Sequence, residues 1–238
     1  MLLKLPFLVN VVSLNMPRIV LEKSLNLILK MGKNHVSCVC FATVNAHMLF
    51  VFAVCSSVDI RNNVSEFSWL ENCSVIEGHL QILLMDYTRA EDFEHLSFPN
   101  LREIADYLLL YRVYGMQTLS HIFPNLVSIR GQTLFFNYAL VVFEMQNLED
   151  LGLWNLRSIV RGAVRIERNP RLCYVDTINW SAILSSKKVD NFILQNRDTY
   201  ECVNVCPKHS CPTVPVSLDN GEKFNQPLCW NADHCQSG

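Results

Sequence analysis

The chain has 238 residues, half of them apolar, and a formal net charge of −2. That is enough for one large domain, or a medium one with a small companion. A charge so close to neutral gives no electrostatic basis for a nucleic-acid partner, and none is expected.

The front end differs in composition from the rest. Residues 1–58 carry five Lys/Arg and one Glu, whereas the remaining 180 carry 15 Lys/Arg against 21 Asp/Glu. Residues 34–58 contain no charged side chain, 48–54 form a strongly apolar run, and Lys30 and Lys33 lie just before it. A positive flank followed by an apolar run and small residues is the pattern of a secretory signal. A membrane anchor needs about 20 apolar residues, and here Asn45, Ala46 and His47 interrupt the stretch. Residues 1–54 are therefore expected to be a leader, signal-like rather than a retained anchor, with cleavage near Ala46 favoured over cleavage after Cys55. N-x-S sequons at Asn63, Asn72 and Asn179 agree with export. Asn63 and Asn72 are the expected glycan sites, because Asn179 precedes a bulky Trp.

The middle of the chain repeats. FPNL occurs at 98–101 and again at 123–126, and an N-L-x-x-(I/L) phrase starts at Asn100, Asn125, Asn147 and Asn155. Strand-like runs fall at 79–85, 107–113, 133–143 and 163–169. One strand per repeat of 20–29 residues, with Leu at fixed offsets, is a leucine-rich, solenoid-like signature. No single turn can bury its apolar edge, and stacking the turns produces a continuous core. Alternation along the strands predicts one column of Leu84, Leu109, Phe135 and Arg165 beside a second, water-facing column of Asp86, Tyr111, Asn137 and Glu167. Phe135, Phe136, Tyr138 and Phe143 lie within nine residues. They cannot all point inward, which favours a protein-binding patch on this sheet face.

Ten cysteines are present, five of them between 202 and 235. That density predicts a small disulfide-stapled module. Zinc is the alternative, with His209 and His234 as the nearby imidazoles, although the spacings lack the paired C-x2-C pattern of a structural site. No catalytic constellation is present: G-x-S-x-G, the P-loop, G-x-G-x-x-G and the kinase motifs are all missing. Asp86, Glu91 and Asp92 read as a solvated loop, His79, His95 and His121 as repeat positions, Trp154 and Trp180 as packing residues, and Lys187 and Lys188 as a solvated pair. No enzyme activity, cofactor or metal is expected.

Several long motifs resemble the insulin receptor family. They are DIRNN at 59–63, LENCSVIEGHLQILLM at 70–85, DYLLLYRVYG at 106–115, FPNLVSIRG at 123–131, LFFNYALVVFEM at 134–145, RGAVRIERN at 161–169, LCYVDTINWS at 172–181 and ECVNVCP at 201–207. The resemblance implies a mainly β fold with short helices. A right-handed β-helical L domain would occupy 55–203, followed by the truncated start of a furin-like cysteine-rich region at 204–238. By position it implies the pairs Cys55 with Cys73, Cys173 with Cys202, Cys206 with Cys229 and Cys211 with Cys235. Cys38 and Cys40 would remain in the leader.

The resemblance also implies a site. The matching surface would bind insulin or an insulin-like growth factor, together with a helical segment of a partner receptor chain. Its residues are Asp59, Arg61, Asn62, Gln81, Leu83, Leu84, Phe93, Leu109, Tyr111, Leu134, Phe135, Asn137, Tyr138, Val141, Phe143, Glu144, Glu167 and Arg168. The chain departs from the family pattern at Asp86, Ala90, Tyr111 and Arg168. An acidic Asp86 beside Tyr111 would weaken hormone binding by about 1–3 kcal/mol if desolvated without a partner. The expected product is an extracellular, cell-surface or secreted binding module. A decoy-like or dimer-modulating fragment with weak hormone binding, and an incomplete product of a receptor tyrosine kinase gene, are the alternatives.

Overall fold

The computed structural model describes residues 36–38, 53–186, 190–202, 206–207, 211–217 and 221–237. These belong to one compact unit, Lys33–Cys40 with Val51–Gly238. Most of the expected leader, with Ala46 and Cys40, lies outside the described residues, as do the 203/204 boundary, Lys187, Lys188 and His209. No helix among the described residues is long and apolar enough to cross a membrane.

Fourteen strands are described: β1 Val36–Cys38, β2 Ala53–Cys55, β3 Val58–Arg61, β4 Cys73–Ile76, β5 Leu80–Met85, β6 Glu103–Ile104, β7 Leu108–Val113, β8 Ser128–Ile129, β9 Tyr138–Phe143, β10 Ser158–Ile159, β11 Ala163–Glu167, β12 Phe192–Leu194, β13 Thr213–Ser217 and β14 Lys223–Pro227. From β2 to β11 the chain alternates between two six-stranded sheets, and β12 adds to the edge of the second. The first runs β1-β2-β4-β6-β8-β10 and the second β12-β11-β9-β7-β5-β3. Apart from the antiparallel β1–β2 pair, every pairing within these two sheets is parallel. Each turn of chain therefore lays one strand in each sheet, and the next turn lies beside it.

The repeated residues form the core. In the first sheet, Ile76, Ile104 and Ile129 are in register, followed by Ile159 and a bridge to Leu184. In the second, Ile60, Ile82, Leu110, Val142, Ile166 and Ile193 form the matching inner column. Leu101, Leu126 and Leu156 of the N-L-x-x-I phrase are buried between them. Their preceding asparagines tie neighbouring turns together, since Asn125 Nδ2 donates to the Pro99 carbonyl and Asn155 Nδ2 to that of Pro124. The FPNL phenylalanines continue a column begun by Phe67, with ring centroids 6.0 Å apart for Phe67–Phe98 and 6.1 Å for Phe98–Phe123. Helical structure is slight. It comprises a 3-10 turn at Val64–Leu70, three shorter ones, and a four-residue α1 at Trp180–Ile183.

Four disulfides are present: Cys55–Cys73, Cys173–Cys202, Cys206–Cys229 and Cys211–Cys235. The five cysteines for which zinc was the alternative are all bonded in this way. The C-terminal segment, with its β13–β14 hairpin, packs on the turn that contains Thr177 and on α1. Thr177 and Cys229 exchange backbone and side-chain hydrogen bonds, Asn179 and Gln236 bond reciprocally, and Trp230 meets Trp180 edge-on at 6.0 Å.

Truncation of one inner-column residue, Ile129→Ala, is expected to destabilise the chain by about 2–5 kcal/mol in denaturant unfolding. A second test concerns Asp150, which accepts hydrogen bonds from Thr118 (2.7 Å) and Asn231 (3.4 Å) at this junction. Burial raises its carboxyl pKa, against the lowering effect of those two bonds. The folded chain thus holds this proton more tightly than the unfolded one. The stability gained from it is present below the ordinary carboxylate pKa and is lost as pH rises through the raised value. Asp150→Asn is expected to gain stability relative to the parent as pH rises above the ordinary carboxylate pKa of about 4. A pH-independent difference between the two melting curves would contradict this.

Candidate functional site

The outer face of the second sheet carries two columns that differ from those predicted. One runs Asp59, Gln81, Leu109, Val141, Arg165, Phe192, and the other Arg61, Leu83, Tyr111, Phe143, Glu167, Leu194. The second column is not polar throughout. The predicted pairing of Leu84, Leu109 and Phe135 fails for two structural reasons. β9 starts at Tyr138 rather than Thr133, because eight residues, 130–137, separate β8 from β9, where three separate β6 from β7 and β10 from β11. Leu84 has left the pleat, with φ at 56°. Asp86 is also misplaced by the prediction. It lies exposed in the turn after β5, and Leu83 is the residue that stands beside Tyr111.

The extra residues before β9 fold over the sheet. Phe135 and Tyr138 bond reciprocally through their backbones, closing a tight loop whose tip, Phe136, is 81% exposed. Phe135 rests on Tyr107 (5.7 Å), and Tyr107 also stacks on His79 (5.0 Å). Gln81 Nε2 donates to the Tyr107 hydroxyl at 2.6 Å, while burial raises the phenol pKa. Nearby, Tyr111 and Phe143 stack at 5.4 Å. The result is two layers. Leu83, Leu109 and Val141 point outward from the sheet yet are 7%, 6% and 2% exposed, because Phe135, Tyr138, Tyr111 and Phe143 cover them.

Charges border this patch on three sides. Asp59 pairs with Arg61 (3.3 Å) and His79 (3.5 Å) at the β3 edge. Towards β12, Arg165 donates from Nε (3.0 Å) and Nη2 (2.6 Å) to one oxygen of Glu167. Its guanidinium also lies 5.4–5.8 Å from the rings of Tyr138, Phe143 and Phe192. The third border is a ledge of residues that directly follow the second column. Asn62, Leu84, Arg112, Glu144, Arg168 and Gln195 all adopt φ between 50° and 59°, a left-handed backbone that few non-glycine residues adopt. Their side chains are linked along the ledge, Arg112 to Glu144 (2.7 Å), Arg168 to Glu144 (3.5 Å) and Arg168 to Gln195 (3.1 Å).

The structure brings most of the expected site residues together. Asp59, Arg61, Gln81, Leu83, Leu109, Tyr111, Val141, Phe143 and Glu167 are on the sheet, Leu134, Phe135, Asn137 and Tyr138 in or beside the insertion, and Asn62, Leu84, Glu144 and Arg168 on the ledge. Phe93 does not join them, because it is 2% exposed in the main core and packs edge-on against Phe67. Tyr107, Arg112, Phe192 and Leu194 also border the face and were not expected there, whereas Phe136 and Arg165, expected on the face from the strand pattern, are absent from the set that the resemblance implies. Period-two alternation through 107–111 would have found Tyr107, but nothing in the sequence marks β12. Among the described residues no cluster could hold a metal ion.

A family model for the receptor L domain matches residues 72–184. An insulin-like peptide receptor from Branchiostoma lanceolatum is 55% identical over 183 residues, 77% of this chain and 13% of the relative. An insulin receptor from Xenopus laevis is 54% identical over 189 residues, again 77% and 13%. A mouse insulin receptor-related protein is 48% identical over 184 residues, 77% and 14%. The chain thus spans about 13% of the length of the first two relatives.

The two-layer face predicts an unusual contrast between outward-pointing residues. Leu109→Ala is expected to lower stability by about 2–5 kcal/mol, as in a core. Phe136→Ala is expected to stay within about 0.5 kcal/mol. Equal effects in denaturant unfolding would show that the insertion does not cover the sheet.

Proposed function

The chain belongs to the insulin receptor family, and on that premise we propose that the outer face of its second sheet docks an insulin-like or insulin-like growth factor peptide together with a helical segment of a partner receptor chain. The observation that carries this reading is the layer of aromatic rings, Phe135, Phe136, Tyr138, Tyr111 and Phe143, that covers the sheet and is bordered by ion pairs. A rigid apolar centre with a charged rim suits protein recognition. Leu109 and Val141 then act beneath the contact layer, and the rings above them supply the contact.

The parallel, in-register turns support a right-handed β-helical solenoid of leucine-rich type at 55–203, with the beginning of a cysteine-rich region at 204–238. Disulfide bonding supports an extracellular location. The expected glycan sites are accessible, since Asn63 is exposed and caps the Val64–Leu70 turn, and Asn72 is exposed with φ at 67°. The proposed role is binding, and the kinase activity of the parent family would reside in other sequence. A weak-binding, dimer-modulating fragment is the second reading. Its support at residue level was Asp86 on the face, and Asp86 lies exposed in the turn after β5.

The test is binding of labelled insulin to the full chain, with and without a peptide of the family's helical segment. Phe136→Ala is expected to weaken binding about tenfold or more with an unchanged melting temperature. Asp86→Phe is expected to change it by no more than about threefold, in keeping with a solvated rim position. Failure of the parent chain to bind in either format would sink the docking reading.

A further inference from the structure

We propose that Asp106 is a positioning residue for this face, fixing the 130–137 insertion and the aromatic rings it carries without touching the partner. The inference rests on the docking reading and specifies how that site is held in shape.

The insertion leaves the first sheet at Ile129 and must arrive at Tyr138 with Phe135 above Tyr107 and Phe136 at the tip. Its first residues are tied to the preceding turn by backbone bonds, with Gly131 N donating to the Asp106 carbonyl and Gln132 N to that of Ala105, both at 2.9 Å. Beyond Gln132 the backbone ladder stops. The next amide, Thr133 N, is received by a side chain, Asp106 Oδ1, at 2.9 Å. Asp106 is itself anchored, because its own N–H donates to the Gly78 carbonyl at 3.0 Å. One half-buried aspartate therefore spans three successive turns through its N–H, its carbonyl and its carboxylate. A carboxylate accepting a backbone N–H forms a charge-assisted bond, stronger than a neutral pair.

The chain beyond Thr133 depends on that bond for its direction. Leu134 lies over Gly131 and Gly162, and a Cβ on either glycine would come within 3.0 and 2.5 Å of Leu134 Cδ2. Both glycines have positive φ, 67° and 90°, so backbone conformation and close approach together call for glycine there. With Thr133 pinned and Leu134 seated, the closed Phe135–Tyr138 loop sets Phe135 on Tyr107 and Phe136 at its tip. A contact surface must be held to within a fraction of an ångström to keep its affinity, and residues behind it supply that constraint.

The experiment compares Asp106→Ala with Asp106→Asn in the full chain, using labelled insulin as the probe and amide hydrogen exchange as a second readout. The asparagine retains the Oδ1 acceptor. Asp106→Ala is expected to weaken insulin binding about tenfold and to speed exchange at Thr133 and through 134–138. Exchange at Leu110 and Val142, in the inner column, is expected to stay at the parent rate. Asp106→Asn should remain within about threefold of the parent in affinity and keep Thr133 protected. If Asp106→Ala binds like the parent, or loosens the inner column as much as the insertion, the positioning role is overturned while the docking reading stands. If the parent binds insulin neither alone nor with the helical-segment peptide, the docking reading and this inference fall together.

Discussion

Register between successive turns is the constraint on which the rest of the structure depends. Strand side chains alternate with a period of two, so a slip of one residue would send an entire inner column to the outer face. The columns from Ile60 to Ile193 and from Ile76 to Leu184 leave no room for such a slip. Within the strands the register shifts only at their first residues, after Ala53 and after Ala163, and the larger length variation lies in the connections. Those returning from the second sheet to the first vary freely, as 62–72, 86–102, 114–127 and 144–157. Those leading from the first to the second hold three residues at 77–79, 105–107 and 160–162 and are exceeded only at 130–137. The insertion forms where a strict pattern is relaxed once, and it lies on the face where the candidate site is found.

The ledge of left-handed residues is a second consequence of stacking. Each turn takes a left-handed residue at the same point, directly after the second outer column, so these residues form a column of their own. An L-residue in that conformation is disfavoured by roughly 1–2 kcal/mol, which would favour glycine if each turn stood alone. Six non-glycine residues adopt it nonetheless, and for four of them the column gives their side chains bonding neighbours. Arg112, Glu144, Arg168 and Gln195 bond along it. Immediately behind, Asn169 bonds to Val142, Met145 and Asn196, closing the end of the core with a polar ladder. Repetition thus converts a local strain into a charged border for the aromatic patch.

The sequence disclosed the repeat, the core leucines and the aromatic face, because FPNL and N-L-x-x-I recur at positions where burial demands the same side chain. It disclosed the columns poorly. Counting at constant offset assumes that turns differ only where the motif lies, whereas the 130–137 insertion and the left-handed residue at 84 each move the reading frame. Phe135 could therefore be recognised as outward-facing but not as belonging to a covering loop, and Asp86 could be recognised as unusual but not as peripheral. Phe93 shows the converse error: alignment to a binding surface by resemblance carried along a residue that packs against Phe67 in the core. Arg165 was recognised as lying on the face, but its enclosure by three rings depends on β12, a strand with no repeat motif.

The aromatic layer reconciles two demands on one sheet. Leu83, Leu109 and Val141 in adjoining columns would make an apolar strip able to recruit other chains indiscriminately. Covering them with rings rather than with a helix retains an apolar surface but changes its character. Ring faces accept cations and ring edges accept carbonyls, so contact becomes dependent on direction. Arg165 already uses that property, lying near Tyr138, Phe143 and Phe192 while Glu167 satisfies its charge. A partner can meet such a surface by displacing water from ring faces, without lifting the insertion or exposing the aliphatic layer. Each border holds its ion pairs before any partner arrives, so little charge must be newly desolvated within the patch. On the proposed docking, selectivity falls to the rim, where Asp59 and Arg61 at one edge and Arg112, Glu144 and Arg168 along the ledge would set which charges a docked segment must bring.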